Sequence, residues 1–322
     1  MRHFLFLNSK IFFSKDLVST LMSLEHLSIV YITGVNSKNY LNQQFSIDLN
    51  EVTQKKYKIG AHCNYNGKVW GIFIIFLFQE GYIYIISKEI VKQQILELKK
   101  YSIFSKIKIL ILNNFKIFGF SGKNSIDFLN MNFKKNLFIK NNIEYFKNFI
   151  ILKIFFPIPR FLIIISKNLE SFLFNFFLEN INTNNFLQWL LLDMESYFPI
   201  FSLKMTNKFL PQILNLKFWD AINFSKGCYY GQETIFKMEI KNIFNMKLDF
   251  FLGNSQILPK IGENILCLYK GHVYAVGKVF YAILINSQKI CLQVLLKKKF
   301  LECKGKFFLS SNNSIKLKRY FN

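Results

Sequence analysis

Along the first hundred residues, β-prone apolar runs alternate with turns and with stretches of helical spacing. An apolar run at Leu27–Thr33 predicts a strand, and residues 37–49 carry apolar side chains at the spacing of a short helix. Turns at residues 64–67 and 80–81 separate further β-prone runs and predict hairpins. Residues 88–101 lack Gly and Pro and predict a helix that ends in lysines. This alternation lacks the regular spacing of parallel βαβ units and predicts an α+β fold.

The pattern changes in the second half of the chain. Residues 130–148 are rich in Lys and Asn and predict a surface connection, Arg160–Ser166 predicts a strand, and residues 169–179 and 186–194 predict helices. Beyond residue 240, short β-prone runs alternate with turns and predict a small C-terminal β-barrel. These runs are residues 250–252, 265–269, 273–282 and 290–296.

The length and the apolar content favour more than one domain. The chain has 322 residues, 51% of them hydrophobic, with 39 Phe and 15 Tyr, which is enough to build several cores. We expect residues 1–241 to form two interleaved α+β subdomains and residues 242–322 to form the barrel domain.

The apolar runs are too short to predict a membrane helix. A spanning helix needs roughly 18 or more consecutive apolar residues, and the runs at residues 69–86 and 149–165 are interrupted by polar, charged or proline residues. The first 13 residues lack the continuous apolar stretch and cleavage site of a signal peptide. The five cysteines are widely spaced without a Cys-x-x-Cys pair, which predicts no metal site and free thiols in a reducing cytoplasm.

The net charge of +23 has two interpretations. Positive charge attracts polyanions, so direct contact with RNA is one of them. However, only three of the 42 basic residues are arginines, and Lys, Asn, Phe, Ile and Tyr are abundant together, which indicates a gene rich in A and T. Both interpretations stay open.

The most specific stretch is Lys-Gly-Cys-Tyr-Tyr-Gly-Gln-Glu at residues 226–233. Two glycines around one cysteine allow a tight backbone that brings the thiol to a surface, and a lysine two positions away favours a thiolate. A buried, inert cysteine in a glycine turn is the alternative on chemistry alone. The candidate residues are Lys226, Gly227, Cys228, Tyr229, Gly231, Gln232 and Glu233.

This motif resembles the Lys-Gly-Cys-Tyr-x-Gly-Gln-Glu signature of the YgfZ family. Shorter stretches resemble the same family in the same order, and the resemblance spans about residues 20–280. These stretches are residues 21–25, 32–34, 40–41, 61–63, 67–68, 98–106, 160–163, 188–190, 211–212 and 215–216.

The resemblance implies a three-domain ring related to the glycine-cleavage aminomethyltransferase, with tetrahydrofolate in a central channel, and a monomer. Family members support iron-sulfur enzymes, including a radical enzyme that methylthiolates adenosine in tRNA, and are linked to regulation of replication initiation. The implied role is a folate-binding accessory factor with Cys228 as its functional thiol. A folate-dependent aminomethyltransferase and a basic RNA-binding module are the alternatives.

The resemblance also assigns folate contacts. Trp189 matches a tryptophan that the family uses for folate, and an indole can stack on a pterin; a core position on its helix is the alternative. Glu195 matches a glutamate that accepts hydrogen bonds from the pterin, with a solvated carboxylate at the helix end as the alternative. The chain departs from the family pattern at Leu27 in place of a second folate-contacting tryptophan, at Asn64 in place of an acid, at Tyr197 in place of a glycine and at Lys237 in place of an arginine.

Overall fold

Three β-sheets and the helices against them form the fold. The computed structural model describes residues 10–133, 141–177 and 181–320. The strands are β1 Thr20–Ser23, β2 Leu27–Thr33, β3 Lys58–Cys63, β4 Val69–Phe78, β5 Gly81–Ser87, β6 Lys108–Ile111, β7 Phe115–Ser121, β8 Ile143–Tyr145, β9 Phe149–Ile154, β10 Arg160–Ser166, β11 Asn182–Asn184, β12 Met246–Asn254, β13 Asn264–Tyr269, β14 His272–Asn286, β15 Lys289–Lys297, β16 Lys306–Leu309 and β17 Lys316–Arg319. The α-helices are α1 Ser37–Gln44, α2 Val91–Lys100, α3 Ser125–Phe133, α4 Glu170–Phe177, α5 Phe186–Glu195 and α6 Gln232–Lys241.

The first sheet is antiparallel, in the order β3-β4-β5-β2-β6. Helices α1 and α2 cover its outer face, where the ring of Phe73 lies 4.2 Å from that of Phe45 at the end of α1. Side chains alternate between the faces of a strand. The inner face therefore carries the cross-strand row Ile59, Ile74 and Ile85, which faces the rest of the molecule.

The second sheet has the order β11-β1-β7-β10-β9-β8, antiparallel except for the β1–β11 pair. Its outer face packs with α3 and α4 in a cluster that includes Phe118, Phe120 and Phe161. Its inner face, with Leu162 and Ile164, belongs to the same core as the first sheet. The two inner faces therefore share one core.

The third sheet is a closed barrel in the order β12-β15-β14-β13-β16-β17. Apolar side chains such as Phe251, Val276 and Leu292 fill it. Helix α5 contacts both β1 of the second sheet and β15 of the barrel, so it joins the two.

These elements confirm the α+β fold with a C-terminal barrel, the hairpins and the strands β2 and β10. The first helix is shorter than residues 37–49, because Phe45 turns to extended backbone and forms a bridge with His62. Residues 130–148 are only partly a connection, since α3 continues to Phe133 and β8 begins at Ile143, while residues 134–140 lie outside the described ranges. No helix among the described residues is both long enough and apolar enough to span a membrane.

Candidate functional site

A cavity of about 420 Å³ lies where the two inner faces, α5 and the barrel meet. Ile59 and Ile74 of the first sheet, Leu162 of the second and Tyr281 of β14 line it. A volume of this size suits a small organic ligand, and the lining is mostly apolar with a few polar groups. The remaining lining residues are His26, Leu27, Ile72, Phe73, Ile85, Ile86, Ser87, Lys88, Glu89, Ile154, Arg160, Phe186, Trp189, Leu190, Asp193, Phe198, Pro199, Ile200, Phe201, Ser202 and Trp219.

Trp189 lies on the wall of this cavity with 3% of its surface exposed. Asn185 caps the N-terminus of helix α5, because its Oδ1 accepts a hydrogen bond from the Leu187 amide at 2.9 Å. The indole packs against Gly119 of β7, where an added Cβ would lie 2.4 Å from the indole Cε3. The indole therefore fits against β7 only because Gly119 has no side chain.

Arg160 and Asp193 form a buried ion pair beside the indole. The guanidinium of Arg160, at the start of β10, lies 4.7 Å from the centroid of the Trp189 ring, and its Nη1 is 2.6 Å from Asp193 Oδ1. Trp189 and Asp193 share one face of α5 because they are four residues apart. Burial raises the pKa of Asp193, and the adjacent guanidinium opposes that rise. The guanidinium covers one face of the indole, so only the rest of the ring is available to a ligand.

Several buried polar atoms of the lining residues have no hydrogen-bond partner among the described residues. They are His26 Nδ1, Arg160 Nε, Ser202 Oγ and Trp219 Nε1. Burial lowers the pKa of His26 to about 4, so its imidazole is neutral at physiological pH. Buried polar groups are nearly always paired in native proteins. These atoms therefore indicate a ligand or water with donors and acceptors along its edge.

Glu195 does not line the cavity. Its carboxylate accepts hydrogen bonds from the Ser14 amide at 2.9 Å, the Ser14 hydroxyl at 3.0 Å and the Tyr320 hydroxyl at 3.0 Å. Burial raises its pKa, and these donors oppose the rise. On α5 the acidic residue that lines the cavity is Asp193, two residues earlier, and Glu89 is a second acidic residue of the lining.

The cysteine motif lies against α1. Lys226 Nζ donates to the carbonyl oxygens of Asn42, Phe45 and Ile47, the last two at 2.7 and 2.6 Å, and lies 4.8 Å from the ring of Tyr229. Burial lowers the pKa of Lys226 to about 8. The ammonium thus fixes the loop to the C-terminal end of α1, where unpaired carbonyls favour a cation.

Gly231 and Gln232 close the other end of the motif. Gly231 has a φ of 85°, and an added Cβ would lie 2.2 Å from the carbonyl oxygen of Asn64, so only glycine fits. The Gln232 side chain donates to the carbonyl oxygen of Lys226 and accepts from the Tyr229 amide, both at 3.3 Å. Glu233, exposed on α6, pairs with Lys237.

Cys228 is exposed to solvent, not buried in its glycine turn. Two positions later in the sequence, the Tyr230 hydroxyl lies 2.7 Å from that of Tyr101. No motif residue lines the cavity at Trp189. The structure therefore separates the two sequence-predicted features: the thiol lies on the side of the first sheet that α1 covers, and the indole lies on the inner side.

Relatives of this chain cover nearly all of it. It is 41% identical over 296 residues to the tRNA-modifying protein YgfZ of Buchnera aphidicola subsp. Schizaphis graminum, an alignment that spans 90% of this chain and 91% of that protein. The chain belongs to the YgfZ family. The tRNA-modifying protein YgfZ of Blochmanniella pennsylvanica is 32% identical over 90% of both chains, and that of Escherichia coli O127:H6 is 28% identical over 88% of this chain and 87% of its own. No family model matches the chain.

The fold is also that of an aminomethyltransferase. The glycine cleavage system aminomethyltransferase T from Bartonella henselae superposes with a TM-score of 0.74 over 95% of this chain and 86% of its own. The sequences are 11% identical, so the likeness concerns the fold alone. It confirms the aminomethyltransferase-like architecture that the YgfZ resemblance implies.

Three departures from the YgfZ pattern have distinct structural settings. Leu27 lines the cavity, so the departure that the resemblance assigns to this position lies on the wall itself. Tyr197 has a φ of 56°, in the left-handed region that favours glycine, and its hydroxyl donates to the Tyr320 carbonyl oxygen at 2.9 Å. Asn64 Oδ1 accepts from the Lys68 amide within its turn, and its Nδ2 donates to Asn207 Oδ1.

Most lining residues were not singled out as ligand contacts by sequence reasoning, among them His26, Arg160, Asp193 and Trp219. Arg160 carries a usable signal, since it is one of only three arginines and opens an otherwise apolar strand. Asp193 carries another, because it lies one helical turn after Trp189. Within residues 10–133, 141–177 and 181–320, no three His, Cys, Asp or Glu side chains lie close enough together to hold a metal ion.

Proposed function

We propose that this YgfZ-family chain is a folate-binding accessory factor in tRNA modification, with tetrahydrofolate in the cavity at Trp189. The role in tRNA modification is supported by the relatives, which are named tRNA-modifying proteins. The cavity supports folate binding, because its lining includes two indoles and several buried polar atoms that have no hydrogen-bond partner among the described residues. Bound tetrahydrofolate would supply a reduced pterin that carries one-carbon groups.

The residues of the wall suit a pterin. Trp189 and Trp219 offer aromatic surface and an indole N–H, while Asp193 offers a carboxylate to the N–H and amino groups of the ring. Arg160 holds Asp193 in place through the ion pair. We assign the acidic contact to Asp193 and not to Glu195, because the carboxylate of Glu195 binds Ser14 and Tyr320 outside the cavity wall.

We further propose that Cys228 serves iron-sulfur enzymes, among them the radical enzyme that methylthiolates adenosine in tRNA. The thiol is exposed on a loop whose shape is fixed by Lys226 and Gly231. An exposed thiol on a rigid loop can reach a partner protein and carry a persulfide, a mixed disulfide or a transient cluster ligand. No residue of the motif lines the cavity, so the two activities use different surfaces.

A fluorescence titration tests folate binding. The chain has three tryptophans, of which Trp189 and Trp219 line the cavity and Trp70, on β4, does not. Tetrahydrofolate should quench the wild type and Trp70→Phe with the same Kd. Trp189→Phe should weaken binding by about fivefold, since an aromatic contact contributes about 1 kcal/mol. Quenching that does not saturate, or equal Kd values in all the variants, would contradict the assignment.

Genetic complementation tests the thiol. Loss of the gene should lower methylthiolated adenosine in total tRNA, measured by mass spectrometry of nucleosides. Wild type and Cys291→Ser, a change at a buried barrel cysteine, should restore it, whereas Cys228→Ser should not. Full restoration by Cys228→Ser would remove the thiol from the mechanism.

The fold makes a tetrahydrofolate-dependent aminomethyltransferase the second candidate. That reaction needs a group that moves protons beside the folate, and Asp193 is the carboxylate that lies beside the Trp189 indole on the wall. Release of ammonia and methylene-tetrahydrofolate from a carrier loaded with an aminomethyl group would favour this candidate over the accessory factor.

A further inference from the structure

Two of the five cysteines meet in the C-terminal barrel. Cys267 lies on β13, and Cys303 lies in the segment that leads into β16. Their Sγ atoms are 3.7 Å apart across 36 positions of sequence. Neither residue lines the cavity at Trp189 or belongs to the Cys228 motif, so the proposed function leaves the pair unused.

A glycine makes room for the two sulfurs. A Cβ at Gly305 would lie 2.4 Å from Cys267 Sγ and 3.2 Å from Cys303 Sγ, so any side chain there would displace one of them. The Gly305 amide also donates to Cys303 Sγ at 3.3 Å. The local backbone thus holds the Cys303 thiol towards its neighbour.

The two thiols differ in access. Cys267 is fully buried, whereas Cys303 is partly exposed and lines a surface cavity of about 450 Å³ with Lys304 and Lys318. Burial raises the pKa of Cys267 to about 12, so this thiol does not react directly with an oxidant in solvent. An oxidant therefore meets Cys303 first, and Cys267 is the thiol placed to react second.

We propose that Cys267 and Cys303 form an oxidation site that closes to a disulfide, with hydrogen peroxide as the oxidant. One peroxide oxygen is transferred to Cys303 Sγ, which gives a sulfenic acid and releases water. Cys267 Sγ then attacks the sulfenic sulfur, so that the S–S bond forms and the S–O bond breaks. The leaving oxygen departs as a second water with the proton of the Cys267 thiol. Two thiols lose two electrons, and one peroxide is reduced to two waters.

Peptide mapping of the full chain tests the site. The background is Cys228→Ser, which removes the exposed thiol and leaves four cysteines. After treatment with peroxide, alkylation in denaturant and digestion without reductant, the peptides that contain Cys267 and Cys303 should be linked. The number of alkylated thiols should fall from four to two, and dithiothreitol should restore it.

Variants separate the pair from other oxidation. Cys267→Ser and Cys303→Ser should each abolish the linked peptide, and Cys291→Ser, on strand β15 of the same barrel, should keep it. Gly305→Ala should slow its formation by roughly tenfold or more, because disulfide geometry tolerates little displacement. A Cys303 sulfinic acid beside a Cys267 that is still alkylated, or a link to Cys63 or Cys291, would overturn the proposal. The map of the Cys228→Ser chain decides this even if another variant fails to fold.

Discussion

Arg160 is the residue on which the cavity wall depends most. Its side chain is 1% exposed, and moving a charge from water into such an environment costs several kcal/mol unless the charge is paired. Asp193 at 2.6 Å, the Ser196 hydroxyl at 3.4 Å and the face of Trp189 offset that cost. One guanidinium therefore fixes both the indole and the carboxylate that we assign to the ligand.

His62 should make the stability of the protein depend on pH. Its ring is fully buried, and burial lowers its pKa to about 3. In the unfolded chain it binds a proton below about pH 6.5, whereas in the folded chain it stays neutral. Unfolded molecules then bind more protons, so the free energy of unfolding falls as pH drops from 6.5 towards 3, by up to roughly 1.4 kcal/mol per pH unit.

His62→Gln should remove this contribution, so that its unfolding free energy falls less steeply with acid than that of the wild type. Urea denaturation at several pH values measures the difference in slope. His272→Gln, at an exposed position on β14, is the matched control and should keep the wild-type slope. Identical slopes for wild type and His62→Gln would contradict the neutral buried ring.

Some site residues can be predicted from the sequence and others cannot, for physical reasons. Trp189 could be predicted from the sequence because it falls within a stretch that resembles the YgfZ family. Asp193 and Glu195 are both acids on α5, and only the packing of Ser14 and Tyr320 around Glu195 shows which one faces the cavity. Trp219 lies in a turn-rich segment without periodicity, so no pattern predicts its place on the wall.

At the scale of elements, α5 and β7 shape the site together. Most side chains of α5 are buried, because the helix lies between the second sheet and the barrel. Its close approach to β7 is possible only where the strand has no side chain, at Gly119. A glycine inside an apolar strand is the sequence signal for such an approach.

Gly119→Ala should displace the Trp189 indole, since the added methyl would overlap a rigid ring. We expect a shift of tryptophan emission and a loss of tetrahydrofolate affinity of roughly tenfold or more, because overpacking a buried site costs about 1–3 kcal/mol. Gly253→Ala on β12 is the control, since its methyl would meet the flexible end of Leu317. Wild-type emission and Kd in Gly119→Ala would show that the indole does not depend on this strand.

Strands were easier to predict than their pairing. The apolar run of β10 has the bounds that the sequence predicts, and four barrel strands were predicted from β-prone runs. The strands β16 and β17 were missed because each has only four residues, and β17 has a single apolar residue among basic ones. Their place is fixed by closure of the barrel, in which β17 pairs with β12, and a local pattern does not contain that contact.

At the scale of the whole molecule, Glu195 ties three distant parts of the chain. It joins Ser14 of the N-terminal segment and Tyr320, directly after β17 of the barrel, to α5. These bonds cross more than a hundred residues of sequence in each case. They hold the assembly around the cavity without taking part in its wall.

Glu195→Gln should therefore lower stability and spare the ligand site. The amide keeps one acceptor but loses the charge, and hydrogen bonds to charged groups contribute roughly 1.5–3 kcal/mol. Urea denaturation should show a lower free energy of unfolding, while the Kd for tetrahydrofolate should equal that of the wild type. A Kd raised as far as in Trp189→Phe would instead place Glu195 in the folate contact.

The cavity at Trp189 is bounded by the first and second sheets, by α5 and by Tyr281 of the barrel. A molecule held there touches every large unit of the chain at once, so its binding free energy adds to the cohesion of the whole protein. Cells remove the fraction of a protein that is transiently unfolded. The amount of this protein in a cell should consequently follow the supply of its ligand. When the ligand is scarce, we expect the protein to be degraded faster.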